Sequence, residues 1–449
     1  MATYLYRTFS TATNRKIWTW SGWIKRTNSV TDHQNALFGC YYNGSNRSVI
    51  RFNEHRLQFQ DSGNSVDVQT TRKFRDPNAW YHIVARVDTT QSTASDRVRL
   101  YVNGVQETVF DTSNYPGQNI NMEFQGTVVH YINARREGGG AIDSIASMVY
   151  SHVHFSDGQS LAPTVFGSTD STTGEWKINT NPSFTLGTNG FTILKDGNTY
   201  TDQSSNSNNW TLAGSTGLIS KTEDCPSNVF ATLNPLFTSS NTINFSNGNT
   251  RATGVDYQNQ RTGGTLASSS GKFYFESKIT GSTDFGGSVI GIYDYEGTNL
   301  DSNSWFGNAN NFVGFYASGN ILKVIYNGNI NNYGSVSVGD IIGFAFDIDN
   351  GFAYISKNGT FLNSGVPTSG STGTGNVNRS GNLNYNFAGK LMGNAGGFQV
   401  TDSMYSNFGN GYFGTTAASS AGTNASSNGI FEYDVPTGYT ALSTKGLNL

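Results

Sequence analysis

Bulky apolar residues alternate with small or polar residues in many short stretches of this chain. Positions 18–24 read Trp-Thr-Trp-Ser-Gly-Trp-Ile, and positions 80–87 and 98–102 show the same period of two. This period is typical of a β-strand with one buried and one solvated face. No stretch of helical length combines an apolar period of 3.6 with capping residues. The pattern therefore predicts an all-β fold.

Two parts of the chain repeat the same order of strand, strand, turn and strand. In the first part the turn is Asn103-Gly104, and in the second it is Asn358-Gly359. Asn-Gly between strand-like runs is a strong hairpin signal, because both turn residues need positive φ. We therefore expect two tandem β-sandwich (jelly-roll) domains, at residues 1–167 and 238–449.

The stretch between these domains, residues 168–237, is polar and irregular. It nevertheless carries Trp176, Phe184 and Trp210. Large aromatic residues are rare in free linkers, so we expect this segment to connect the sandwiches and to pack on them.

Composition narrows the possible partners and locations. Charged residues make up 13% of the 449 residues, about half the usual share, and Arg135-Arg136 is the densest basic pair. Nucleic-acid binding therefore has little electrostatic support. No apolar run approaches the length of a membrane span, and the first residues do not resemble a signal peptide. We expect neither membrane insertion nor secretion by a leader.

Three motifs in the first half resemble the concanavalin A-like, laminin-G-type lectin/glucanase superfamily. They are Trp-Ser-Gly-Trp-Ile-Lys at 20–25, Trp-Tyr-His-Ile-Val at 80–84 and Val-Arg-Leu-Tyr-Val-Asn-Gly at 98–104. Later motifs extend the likeness to large marine bacteriophage proteins in which a SPRY-like domain follows. These are Phe-Ser-Asp-Gly-Gln-Ser-Leu at 155–161, Phe-Ala-Thr-Leu-Asn-Pro at 230–235, Gly-Lys-Phe-Tyr-Phe-Glu at 271–276 and Val-Gly-Asp-Ile-Ile-Gly at 338–343.

This resemblance implies a non-enzymatic virion surface protein, either a capsid decoration or a tail appendage. Its partners would be other virion proteins and host-surface glycans, and it would act in multiple copies or as a homo-oligomer. It would assemble in the host cytoplasm and end at the virion surface. Two alternatives stay open: a tail-fibre lectin that binds a host receptor glycan, and a polysaccharide depolymerase.

Glucanases of this superfamily carry a strand with Glu-x-Asp-x-x-Glu or a close variant. Retaining hydrolysis needs two carboxylates about 5–5.5 Å apart. None of the nine glutamates here stands in such a frame, so we assign no catalytic residue. The nine are Glu54, Glu107, Glu123, Glu137, Glu175, Glu223, Glu276, Glu296 and Glu432.

Two features raise the question of a metal. His152 and His154 would share one face of a strand, but a zinc site would need a third ligand such as His130. The loop from Asp202 to Asn209 resembles calcium-binding loops of some laminin-G-like domains, with Ser205 in place of the usual glycine. An ordinary sheet position for the histidines and a hydrogen-bonded turn for the loop are the favoured interpretations. We therefore assign no metal or cofactor.

Three aromatic-polar clusters could stack on sugars. Alternating aromatics also fill sandwich cores, and this interpretation is favoured, so no ligand-binding residue is assigned. The clusters are Tyr41-Tyr42-Asn43, Tyr293-Asp294-Tyr295 and Tyr405-Ser406-Asn407. Cys40 and Cys225 could form a disulfide, but two buried free thiols is the simpler expectation.

Overall fold

The computed structural model describes residues 3–27, 34–137, 140–195, 197, 199–215, 219–238, 243–254, 260–281, 289–295, 311–326, 328–380, 383–384, 386–398 and 404–448. These residues form antiparallel strands and a few short 3-10 segments, with no α-helix among them, which confirms the predicted all-β class. None of the described helical segments is long and apolar enough to cross a membrane. The chain divides into two compact units, Met1–Lys221 and Thr222–Leu449.

The described residues of the first unit form eighteen strands. They are β1 (Thr3–Thr8), β2 (Ile17–Arg26), β3 (Asn35–Tyr41), β4 (Arg47–Asn53), β5 (Arg56–Asp61), β6 (Val66–Lys73), β7 (Trp80–Asp88), β8 (Val98–Val102), β9 (Val105–Gln106), β10 (Phe110–Asn114), β11 (Val129–Ile132), β12 (Arg135–Arg136), β13 (Ile142–Asp143), β14 (Met148–Asp157), β15 (Gly167–Thr169), β16 (Trp176–Ile178), β17 (Phe191–Ile193) and β18 (Thr211–Gly214).

Two sheets of this unit enclose its core. An eight-stranded sheet has the order β10-β6-β5-β4-β3-β11-β1-β18, and a six-stranded sheet has the order β17-β14-β2-β7-β8-β9. The alternation in β2 sends Trp18 and Trp20 into the core, where they meet Phe38, Phe59 and Phe155. Burial of such large rings supplies much of the stability of a sandwich.

The second unit also contains eighteen strands among its described residues. They are β19 (Leu233–Thr238), β20 (Asn244–Ser246), β21 (Arg251–Thr253), β22 (Gln260–Ser268), β23 (Lys272–Ile279), β24 (Val289–Asp294), β25 (Phe312–Ser318), β26 (Ile321–Tyr326), β27 (Asn329–Ser335), β28 (Ile341–Asp347), β29 (Phe352–Lys357), β30 (Thr360–Phe361), β31 (Arg379–Ser380), β32 (Leu383–Asn384), β33 (Met392–Phe398), β34 (Met404–Asn407), β35 (Tyr412–Phe413) and β36 (Thr416–Ala417).

This unit is a second sandwich. A seven-stranded sheet has the order β19-β22-β33-β24-β25-β26-β27, and a five-stranded sheet has the order β30-β29-β28-β23-β34. Alternate residues of β23 and β28, among them Phe273, Phe275 and Phe344, fill the core between the sheets. The two sandwiches that the sequence predicts are therefore present.

Both predicted Asn-Gly turns close hairpins. Asn103 and Gly104 have φ of +50° and +78°, and Asn358 and Gly359 have φ of +50° and +81°. In each turn the asparagine side chain also accepts a hydrogen bond from a neighbouring strand: from His82 N at 2.8 Å in the first unit, and from Ile341 N at 2.9 Å in the second. The asparagine thus ties the hairpin to the next strand.

The segment predicted as a connection, residues 168–237, is divided between the units. Its part up to Lys221 belongs to the first unit, where β17 and β18 each extend a sheet. Phe191 and Trp210 lie in the core of that unit, with ring centroids 4.9 Å apart. The apolar residues of this polar stretch therefore complete the first sandwich.

Candidate functional site

Four tyrosines lie on the outward side of the eight-stranded sheet. On β1 and β11, Leu5 pairs with Ile132 and both lie in the core. The residues next to them therefore point outward, and on β3 the same alternation places Phe38 and Cys40 inside. The outward tyrosines are Tyr4, Tyr6, Tyr41 and Tyr131. Together with Arg136 we call them the tyrosine face.

Arg136 interacts with two tyrosines of this face, Tyr41 and Tyr131. Its guanidinium lies over the Tyr41 ring, 5.1 Å from the centroid, which is a favourable cation–π distance. The rings of Tyr4 and Tyr131 are 6.1 Å apart, and Tyr6 is 37% exposed. Burial raises the pKa of Tyr131, while nearby Arg136 opposes this shift. The face thus combines three partly exposed rings, those of Tyr4, Tyr6 and Tyr41, with a cation, while Tyr131 is only 4% exposed and packs beneath them.

A chain of polar side chains crosses the outward side of β4, β5 and β6. Arg51 Nε donates to Gln58 Oε1 at 2.7 Å, and Gln58 Nε2 donates to Asp67 Oδ1 at 2.7 Å. Burial lowers the pKa of Arg51 to about 10, and the charge of Arg135 adds to this shift. Arg135 in turn forms ion pairs with Glu137 and Asp143. These hydrogen bonds fix the orientations of the Arg51 guanidinium and the Gln58 amide.

This arrangement suits a sugar better than it suits catalysis. The apolar C–H side of a pyranose can stack on an exposed aromatic ring, and the half-buried guanidinium of Arg136 can bond a neighbouring hydroxyl. Arg51 and Gln58 are each 4% exposed and support this surface from beneath.

Of the five members of the tyrosine face, sequence reasoning singled out Tyr41 alone as a possible sugar-stacking residue, and it favoured the core interpretation. Sequence analysis did not select Tyr4, Tyr6 or Tyr131. The Tyr-Leu-Tyr alternation at 4–6 does, however, indicate a strand with two tyrosines on the same face.

The other two aromatic-polar clusters lie in the second unit. Tyr293 is fully buried, and its ring centroid lies 4.4 Å from that of Tyr295. Tyr405 is half-buried, with the Arg251 guanidinium 4.8 Å from its ring centroid. The placement of Tyr293 is that of a packing residue.

Ser21 and His82 form a buried pair that superficially resembles a catalytic dyad. Their Oγ and Nε2 atoms are 2.8 Å apart. The other ring nitrogen, Nδ1, accepts a hydrogen bond from Trp176 Nε1 at 3.0 Å. Because an indole N–H can only donate, the proton of neutral His82 resides on Nε2. The ring therefore donates to Ser21 and cannot take its proton.

Burial explains why this histidine is neutral. His82 has no exposed surface, and burial lowers its pKa to about 3. Its ring stacks between Trp23 and Trp176, with centroids 4.9 and 5.9 Å away. The pair is thus sealed beneath the segment that contains Trp176.

Of the three histidines considered for a metal, His152 and His154 lie near each other, with ring centroids 6.3 Å apart, but His130 does not join them. A bulge interrupts β14 at His152, whose φ is +49°, so the simple two-residue alternation fails there. His154 contacts Thr192 and packs on Phe166. His130 stacks on Phe9 inside the core, at 3.9 Å between centroids. Among the described residues, no group of three His, Cys, Asp or Glu side chains could hold a metal ion.

The loop 202–209 is held together by its own hydrogen bonds. Asp202 Oδ1 accepts from the backbone N–H of Thr192 and of Ser204, each at 2.9 Å. Asp202 Oδ2 accepts from Ser204 Oγ at 2.9 Å and from Asn208 N at 2.7 Å. Both carboxylate oxygens are therefore occupied by protein donors, as in the hydrogen-bonded turn that the sequence favoured.

Glu276 is a fully buried carboxyl of the second unit. Burial raises its pKa to about 7, although it accepts hydrogen bonds from Glu432 N, Tyr433 N and the Tyr274 hydroxyl at 2.8, 2.9 and 3.1 Å. A raised carboxyl pKa near a second glutamate is a feature of glycosidases. Glu276, however, has no exposed surface, and backbone N–H groups bond both its oxygens.

The remaining sequence candidates are not brought together. Glu296 lies outside the described residues. Both cysteines are free thiols: Cys40 is buried and Cys225 is half-buried, so the expectation of two buried thiols is met only at Cys40. Burial raises the pKa of Cys40 far above its usual value, which makes this thiol unreactive.

The tyrosine face belongs to a part of the chain that a family model matches. Residues 3–146 match the model described as the concanavalin A-like lectin/glucanases superfamily. The first unit therefore contains a concanavalin A-like, laminin-G-like domain, as the sequence resemblance implied. Such a fold supports carbohydrate binding or adhesion in general terms.

Several solved structures are similar to the chain at low identity. They include the PSpry domain of TRIM65 (10% identity, TM-score 0.28, 39% of this chain and 90% of that chain). The SPRY domain of human HERC1 is 12% identical with a TM-score of 0.28, over 39% of this chain and 94% of that chain. Domains LG4-5 of the mouse laminin alpha1 chain are 8% identical with a TM-score of 0.28, over 88% of this chain and 78% of that chain. No curated protein sequence matches the chain.

Proposed function

We propose that this chain is a non-enzymatic adhesion protein on the surface of a bacteriophage particle, and that its tyrosine face binds host-surface glycans. The observation that carries the glycan-binding role is the outward placement of Tyr4, Tyr6 and Tyr41 on one sheet, with the Arg136 guanidinium over the Tyr41 ring. The virion setting rests on the order of motifs along the chain.

The chemistry of the face favours many weak contacts. One stacked ring contributes about 1–2 kcal/mol, so a single copy would bind a short glycan weakly. Copies held on one particle add their contacts through effective concentration. A surface protein present in many copies would therefore adhere strongly although each site is weak.

Two observations support a role without catalysis. His82 carries its proton on the nitrogen that faces Ser21, so this serine is not activated as a nucleophile. Glu276, whose raised pKa would suit a general acid, is sealed beneath backbone donors of residues 432 and 433. Neither group can reach a polysaccharide without unfolding its cover.

A glycan array tests the binding role, with the protein multimerised on a scaffold. We expect the wild type to bind a subset of bacterial surface glycans, and Tyr41→Ala to weaken binding about tenfold, the equivalent of about 1.4 kcal/mol. Tyr412→Ala, at a half-buried tyrosine of the second unit, is the matched control. Absence of binding, or an equal loss in both variants, would refute the proposal.

Mass spectrometry of purified particles tests the setting. We expect peptides of this chain in particles, and cryo-electron microscopy would then separate its possible positions. Many copies on capsomers would indicate decoration, whereas a few copies at the tail would favour the receptor-binding lectin. Particles that lack the chain would overturn the virion role and leave the array result standing.

A further inference from the structure

Arg136 is the cation of the tyrosine face, and the carboxylates near it in the chain bind other arginines. Glu137 forms ion pairs with Arg135 and Arg47. Asp143 forms an ion pair with Arg135, at 3.8 Å. Among the residues that the structure describes, no carboxylate forms an ion pair with Arg136 itself. These residues therefore leave its positive charge unneutralised.

Two other arginines on the outward side of the same sheet are bound by acceptors of the protein. Arg56 Nε lies 2.7 Å from Asp111 Oδ2. Arg51, which is buried, donates from Nε to Gln58 Oε1 at 2.7 Å. Arg136 differs from both, because it is half-buried and its neighbours are aromatic rings and a backbone carbonyl.

Gly140 and Tyr41 fix the position of the Arg136 guanidinium. Arg136 Nε donates to Gly140 O, and the Tyr41 ring centroid lies 5.1 Å from the guanidinium carbon. Gly140 has a φ of +82°, and a Cβ there would lie 3.3 Å from Arg136 Nη2, so glycine allows this close approach. A guanidinium has five N–H donors in a planar fork, and the bond to Gly140 uses the one on Nε. The terminal N–H groups can therefore bind two oxygens of one anionic group.

The formal charge of the first unit does not oppose a negatively charged ligand. Residues 1–221 contain 19 Lys or Arg and 17 Asp or Glu, a formal charge of +2, whereas residues 222–449 contain 9 and 14, a formal charge of −5. The net charge of −3 for the whole chain thus comes from the second unit. Exposed charges farther apart than about 8 Å are largely screened at physiological salt, so the local positive charge at Arg136 decides whether an anion binds there.

We propose that the glycan bound by the tyrosine face carries a negatively charged group, a carboxylate, phosphate or sulfate, and that this group binds Arg136 while a neighbouring sugar ring stacks on a tyrosine. This inference rests on the proposed glycan binding and narrows the class of ligand. A neutral glycan would stack on the rings but would leave the guanidinium without a charged partner. We therefore expect an acidic glycan to bind about tenfold more tightly than its neutral analogue.

Pairs of glycans that differ only in the charged group test this preference. Each pair contains an acidic oligosaccharide and its carboxyl-reduced, dephosphorylated or desulfated form, and biolayer interferometry with the multimerised protein measures both affinities. Raising NaCl from about 0.05 to about 0.5 M should weaken binding of the acidic member severalfold and that of the neutral member little. The pair that shows the preference identifies the anionic group. Equal affinities within every pair would overturn the inference.

Two substitutions of Arg136 separate its charge from its shape. Arg136→Gln should abolish both the preference for the acidic member and its salt dependence. Arg136→Lys should keep part of both, because lysine keeps the charge but cannot bind two oxygens in one plane. Arg99→Gln is the matched control: Arg99 lies in the six-stranded sheet, pairs with Asp96 at 2.7 Å, and its loss changes the net charge equally. A preference that survives Arg136→Gln, or an equal loss in Arg99→Gln, would contradict the assignment.

The outcomes distinguish this inference from the proposed function. If no glycan binds, both are overturned. If acidic and neutral members bind equally, and Tyr41→Ala weakens both, the tyrosine face binds glycans without selecting their charge. The proposed function would then stand, and only the inference about Arg136 would fall.

Discussion

Replacing Gly104 with alanine should destabilise the first unit more than the same change at Gly158. Their φ angles are +78° and +86°, so a side chain brings similar backbone strain at both sites, about 1–2 kcal/mol. The surroundings differ. A Cβ at Gly104 would lie 2.4 Å from the Trp176 ring, whereas one at Gly158 would meet no atom within 4 Å.

The additional loss of stability in Gly104→Ala comes from the hydrogen bond that Trp176 donates to His82. A ring that moves away from a new Cβ withdraws its N–H from His82 Nδ1 and leaves a fully buried acceptor without a partner. Such a loss costs about 1–3 kcal/mol. We therefore expect Gly104→Ala to cost about 2 kcal/mol more than Gly158→Ala, equivalent to about 4–8 °C in Tm for a unit of this size.

Thermal unfolding followed by tryptophan fluorescence measures this difference, because six of the seven tryptophans lie in residues 1–221. Denaturant unfolding of the same variants gives the free energy directly. Equal losses in the two variants would refute the reasoning, since they would mean that Trp176 and its bond to His82 do not hold the hairpin.

Two further predictions concern carboxylates. Asp202→Asn should lower the free energy of unfolding of the first unit by about 2–4 kcal/mol, because the amide has one acceptor oxygen and its NH2 group would face backbone N–H donors. Neither calcium nor a chelator should shift the wild-type Tm. Asp143→Asn, at a side chain that is 55% exposed, is the control, and a calcium-dependent rise of several degrees would contradict this. Glu276 has a folded-state pKa of about 7, above its unfolded value of about 4.3, so its contribution to stability is full below pH 4 and falls as the pH rises to 7. Unfolding at pH 5 and pH 8 should therefore differ by about 2–3 kcal/mol more in the wild type than in Glu276→Gln, and equal differences would contradict the buried titration.

Local features of the fold were predictable because nearby residues determine them. The strand alternation at 18–24 fixes which indoles enter the core, and the two Asn-Gly pairs fix their turns through positive φ. The tyrosine face could not be predicted in the same way. It joins Tyr4, Tyr41 and Tyr131, which are far apart in sequence, and only the order of strands in the sheet makes them neighbours.

Polar composition locates an exposed segment but does not separate an exposed amide from a buried one. The segment 415–428 contains only small and polar residues and predicts an exposed loop, and residues 415–427 are exposed or half-buried. Its last residue, Asn428, is 1% exposed; it donates to Thr440 Oγ1 at 2.7 Å and accepts from Asn228 Nδ2 at 2.8 Å. A fully bonded amide can be buried at little cost, so composition alone cannot locate it.

In each unit, a later segment of the chain covers the outward side of one sheet. A later segment crosses the outward side of the sheet that holds the Asn-Gly hairpin, and an aromatic ring covers the turn glycine: Trp176 covers Gly104, and Tyr433 covers Gly359. The polar groups beneath, such as Glu276, are fully buried and bonded to the cover. A ligand that binds a sheet face of the first unit would therefore meet the eight-stranded sheet, where Tyr6 is 37% exposed and Tyr4 and Tyr41 are half-buried.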